Sequence, residues 1–172
     1  REAIWILSEL GSEAAELIES AVLLLDDADR HTQWYALEVV AVCSTENKAS
    51  SFVHVLQCLD KEDDAIRRLA MRLTGNASQA QLEAAARYCR NHGAAGGEHE
   101  AGILALLSRE RLSPKRCAEM LTAESAVIRR YGAIALKSLC DAHPELLNLA
   151  LSSRDPDVSS FCQYLKGEMD SE

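Results

Sequence analysis

Apolar residues recur along this chain every three to four positions, in runs about one helix long that are cut by short polar breaks. Over residues 13–25 the apolar side holds Ala14, Leu17, Ile18, Ala21, Leu24 and Leu25. Over 31–43 it holds Trp34, Ala36, Leu37 and Val40. Both sets fall on one face of a helix. The same spacing predicts helices over residues 2–10, 49–59, 65–73, 79–90, 98–107, 114–121, 126–140, 144–151 and 158–165. Two-residue alternation is sustained nowhere, so strands are not predicted. The breaks carry helix-ending and helix-starting chemistry. Gly11 stops the first run, Ser78 and Thr122 are placed to cap, and Asp155-Pro156-Asp157 caps the last helix. Ser113-Pro114 and Pro144 put proline at a first turn, where its missing N–H costs nothing. Residues 91–97 form a glycine-rich turn.

The helices recur as pairs. Ala65-Ile-Arg-Arg-Leu-Ala-Met-Arg-Leu73 and Val127-Ile-Arg-Arg-Tyr-Gly-Ala-Ile-Ala-Leu136 are near-copies 62 residues apart, two units of about 31. The breaks inside the pairs fall near residues 26, 60, 95, 122 and 154, an interval that suits a two-helix repeat. Residues 1–172 therefore read as one domain, with each hairpin expected to bury its apolar sides against its sequence neighbours. Arg1 already lies inside a helical run, so the domain reads as a fragment truncated at its N-terminus. Its open first repeat is expected to meet another domain or chain.

At these positions the chain resembles the HEAT-repeat, armadillo-like family. A second helix of that family opens on an acidic turn, then a β-branched residue, an arginine and a small residue. Asp60-Lys-Glu-Asp-Asp-Ala-Ile66-Arg67 has this form, and Ala126-Val-Ile-Arg129 has it without the acids. Asp155-Pro-Asp157-Val158 is followed by serines in place of arginines, and Asp27-Ala-Asp29 leads to Gln33 in the arginine place. Residues 1–11 resemble a second helix whose first helix is absent. The resemblance implies an all-α fold, a right-handed α-α superhelix (a HEAT-like solenoid) of about five stacked helical hairpins. It implies little about a specific activity, because such stacks serve both as scaffolds and, in a few families, as enzymes.

Composition narrows the function classes. The chain is 48% hydrophobic with 5% aromatics, and no apolar run approaches the roughly 18 residues of a membrane span. The six cysteines fall singly within helical runs and form no CxxC, which reads as buried thiols in a reducing, cytoplasmic setting. Net charge is −9, and it is uneven: of the 27 acids and 18 bases, fourteen and four lie in residues 1–64. That field disfavours nucleic acid and suits a basic protein. The acidic candidates for such docking are Glu13, Glu16, Glu19, Asp26, Asp27 and Asp29, whose plainer reading is a solvated face. Trp34 and Tyr35 are aromatic candidates beside them. Arg67, Arg68, Arg129 and Arg130 recur at equivalent positions, either as an exposed ladder for a partner or as ties to turn acids, with Asp63 and Asp64 the expected partners of Arg67.

Catalytic signatures are sparse. Glu98-His99-Glu100 resembles one His-Glu pair of the HEAT-like di-iron hydroxylases, which need several, so His99 reads as an exposed histidine at a helix start. HExxH, GxSxG and a lysine-bearing phosphate loop are missing from the sequence. No cofactor or metal is expected. The sequence thus points to a non-enzymatic protein-interaction scaffold or adaptor. The alternative is a HEAT-like enzyme, resembling bilin lyases or DNA glycosylases, that works in a concave groove.

Overall fold

The computed structural model describes residues 14–44, 46–92 and 96–169. These residues form ten α-helices and no strand, so the fold is all-α. The expected helix at 2–10, its stop at Gly11, the acidic Glu13 and the centre of the glycine-rich turn lie outside the described residues. In chain order the helices are α1 (Ala14–Leu24), α2 (Arg30–Cys43), α3 (Val53–Gln57), α4 (Asp64–Gly75), α5 (Gln79–His92), α6 (Gly96–Leu107), α7 (Pro114–Leu121), α8 (Ala126–Leu136), α9 (Pro144–Leu151) and α10 (Pro156–Met169). They pair as expected: α1 packs on α2, α3 on α4, α5 on α6, α7 on α8 and α9 on α10.

Most breaks act as the sequence suggests. Ser113 caps α7 by accepting the Arg116 N–H. Ser78 and Gln81 form a reciprocal box, each side chain accepting the other's backbone N–H. Asp155 accepts the Asp157 N–H at the head of α10. Thr122 does not cap α8. Its hydroxyl donates back to the Ala118 carbonyl, and Ser125 is the cap instead, accepting the Ile128 N–H. Three elements differ in extent. Residues 46–60 are not one helix but a 3-10 stretch (Glu46–Phe52), α3 and a 3-10 turn (Cys58–Asp60). Ser50, Ser51 and the β-branched Val53 are weak helix formers there. Helix α8 stops at Leu136, where Ser138 takes the Ala135 carbonyl, and α10 runs on to Met169.

The residue four positions past the cap of α2, α4 and α8 repeats one job. Gln33, Arg67 and Arg129 each reach back six residues, donating to the carbonyls of Asp27 (2.5 Å), Lys61 (2.8 Å) and Ala123 (2.8 Å). Each thereby ties the start of its helix to the turn before it. Ser159, too short for that reach, donates to the Leu151 carbonyl instead.

Packing between hairpins departs from a nearest-neighbour row. Helix α2 borders α4, and α6 borders α8, but α4 also lies against both α8 and α10. The second hairpin therefore touches the fourth and fifth, and the row curls back on itself. Helix α8 sits at the centre of this closure, with nine of its eleven residues buried. One continuous core runs from Ala21 on α1 through Leu37, Leu56, Met71, Leu82, Ile103, Tyr131 and Leu136 to Leu165. Two glycines allow the closest approaches to α8. A Cβ on Gly102 would stand 2.1 Å from the Tyr131 ring, and one on Gly132 would stand 2.9 Å from Cβ of Met120.

Candidate functional site

The curl brings together charges that are far apart in sequence. Asp155 and Asp157, at the head of α10, are almost fully buried, as are Arg129 and Arg130 on α8. Arg67 Nε donates to Asp157 at 2.5 Å, and Arg130 approaches the same carboxylate at 3.7 Å. Arg130 Nε lies 3.3 Å from Asp155, close enough for Coulomb attraction but not aligned as a hydrogen bond; Arg129 is 3.7 Å from the same oxygen. Arg130 also donates to the Leu59 carbonyl. Charges this far from water need partners, and here three helices supply them.

This cluster revises the arginine ladder. Arg67 pairs with Asp157, 90 residues away, and not with Asp63 or Asp64. Asp63 instead binds Arg30 at 2.6 Å while capping α4, and Asp64 binds Arg68 one turn along. Arg129 and Arg130 are interior groups, so of the four arginines Arg68 is the most open, with 42% of its side chain exposed.

Beside the cluster, on the face shared by α2, α4 and α10, a groove of about 340 Å³ opens. Ala65, Leu69 and Phe161 are apolar lining, Trp34 and Tyr164 supply aromatic walls, and Arg68, Arg72 and Ser160 complete it. The Arg72 guanidinium lies over the Tyr164 ring, 5.4 Å from its centroid, which is cation–π geometry. Of the two aromatic candidates, Trp34 lines the groove. Tyr35 is 66% exposed and does not. The sequence reading misses Leu69, Phe161 and Tyr164. The available signal is the i, i+3 and i, i+4 spacing of Ala65, Arg68, Leu69 and Arg72 on one helix and of Phe161 and Tyr164 on another.

The acidic candidates are largely occupied. Asp29 caps α2, accepting the Thr32 hydroxyl and N–H, each at 2.8 Å; these bonds, the hydroxyl's first, hold its carboxyl below its ordinary 3.8. Asp27 accepts the Asp29 N–H, and Asp26 pairs with Lys61. Glu16 and Glu19 lie on α1, Glu19 exposed.

His99 is not exposed. It is buried with Nδ1 3.0 Å from the hydroxyl of the fully buried Tyr131. Burial lowers the His99 pKa and raises that of Tyr131 well above the usual phenol range, so both stay neutral near pH 7. All six cysteines are free and buried. Burial pushes Cys58 and Cys117 to about 11 and Cys162 to about 12, far from a reactive thiolate. Among the described residues no group of three or more His, Cys, Asp or Glu is placed to hold a metal, and no helix is long and apolar enough to cross a membrane. Comparison of the chain with family models, with curated proteins and with solved structures gives no match.

Proposed function

We propose that this chain is a non-enzymatic protein-interaction module, a curled variant of a HEAT-like helical stack that docks another protein on the face shared by its second helices. The observation that supports this best is the groove between α2, α4 and α10, which the half-buried Trp34 and the exposed Tyr164 line together with the buried Leu69 and Phe161, beside two arginines. Aromatic and arginine side chains in a concave, partly desolvated setting are the groups that carry most binding energy at protein interfaces. The acidic segment is weaker support for a basic partner. Asp26, Asp27 and Asp29 already serve a surface ion pair, a turn and a cap.

A photo-crosslinking amino acid at Ser160, inside the groove, tests the proposal in the source cells. A discrete protein adduct is expected from position 160, absent from a matched probe at Lys115 on α7 and lost on Trp34→Ala. Equal labelling from both positions would remove the groove as the docking face.

A second reading, a glycosylase-like enzyme, draws on the convergence of Trp34 with Arg68 and Arg72. It needs a carboxylate free to act in that groove. The two carboxylates that approach Arg68, Asp64 and Asp157, are both held in ion pairs, and among the described residues no carboxylate is in the groove's lining. Release of bases from alkylated duplex DNA by the parent chain, and not by Trp34→Ala, would transfer the assignment to this reading.

A further inference from the structure

We infer, resting on the protein-binding reading above, that the groove takes a short acidic segment of a partner, with a large apolar or aromatic side chain next to a carboxylate. A volume of about 340 Å³ is enough to accommodate one such side chain. Apolar Ala65, Leu69 and Phe161 and the aromatic faces of Trp34 and Tyr164 favour a hydrophobic anchor. The two charged side chains in the lining are both arginines. Arg68 is engaged by Asp64 and lies 3.9 Å from Asp157. Arg72 is exposed and stacks on Tyr164, with no ion pair among the described residues. Stacking holds its planar fork in place, and that fork matches a carboxylate in two parallel hydrogen bonds.

The surroundings limit the length of the anionic stretch. Glu38 follows Trp34 by one turn on α2, and Asp63 and Asp64 stand at the head of α4. A repeating polyanion would run into these carboxylates, and nucleic-acid binding requires several phosphate contacts. A basic segment would meet Arg68 and Arg72. A single carboxylate beside one bulky side chain avoids both conflicts.

A displayed library of random short peptides, selected separately on the parent, Arg72→Gln, Arg72→Glu and Trp34→Ala chains, tests this. Because Arg72 is exposed, its two variants should keep parental far-UV helicity. The parent should enrich peptides with Asp or Glu beside Phe, Trp, Leu or Met. A synthetic peptide of that type should bind Arg72→Gln at least about tenfold more weakly, the usual worth of a charge-assisted pair. Arg72→Glu should shift the enrichment toward Lys and Arg. Neutral or basic peptides on the parent, still lost on Trp34→Ala, would overturn the acidic occupant while leaving the groove as a binding site. No enrichment over Trp34→Ala would overturn both. Tighter binding of an oligothymidylate, displacing the selected peptides, would also overturn the inference.

Discussion

Asp157 shows how much one side chain can carry at the junction of α4, α8 and α10. Its carboxylate, 1% exposed as a residue, faces Arg67 and Arg130. Asp157→Asn keeps the shape and removes the charge, leaving Arg67 without its carboxylate in the interior and Arg130 with Asp155 alone. The expected loss is about 3–5 kcal/mol in chemical denaturation. Asp26→Asn, which breaks the pair of an 81% exposed carboxylate with Lys61, should cost less than about 1 kcal/mol. Similar losses for the two would show that the interior cluster is better hydrated than its burial indicates. His99 makes a second residue-scale prediction. Burial is the main cause of its lowered pKa, partly offset by Asp60 and Glu98. The unfolded chain therefore binds more protons than the folded one below the ordinary value of 6.5. The His99 contribution is intact above pH 6.5 and is lost as pH falls from there through the lowered folded value, with a slope of at most about 1.4 kcal/mol per pH unit. Urea midpoints measured from pH 8 to pH 5 should drop less steeply in His99→Gln than in the parent.

At the scale of elements, the spacing between helices decides what a substitution does. Propensity alone says that glycine to alanine within a helix stabilises by roughly 0.5–1 kcal/mol. On α6, Gly97 and Gly102 should respond with opposite signs. Gly97 has nothing within 4 Å of an added Cβ, so Gly97→Ala should raise the melting temperature. At Gly102 the new methyl would fall inside the fully buried Tyr131 ring. Moving that ring would also disturb its bond to His99. Overpacking outweighs propensity, and Gly102→Ala should cost about 1–3 kcal/mol. Thermal melts of the two variants side by side give the comparison. Equal stabilisation by both would mean that α6 stands further from α8 than the structure places it.

The whole molecule shields its thiols. Every cysteine is free and buried, and burial raises the pKa of each. A thiol reagent such as dithionitrobenzoate should modify none of the six promptly in the native state near pH 8, and all six in denaturant. Rapid modification of one native thiol would identify a hairpin that opens locally.

The helices, their breaks and the repeat were legible in the sequence because each rests on local physics. Apolar spacing sets the buried face, and Ser78, Ser113 and Asp155 can cap only the helix next in the chain. The equivalence of Gln33, Arg67 and Arg129 was readable for the same reason, since each bonds a carbonyl six residues back. Tertiary structure decided the rest. Arg67 has carboxylates within local reach at Asp63 and Asp64, yet it bonds Asp157, because the curl of the hairpins delivers that one to it in the interior. The same curl sets Arg130 against the Leu59 carbonyl and assembles the groove from three helices, and the packing of α6 on α8 buries His99. A pattern of apolar positions specifies which face of a helix is covered, but many helices can cover it. Only the closure of α4 onto α8 and α10 selects the neighbours, and with them the site.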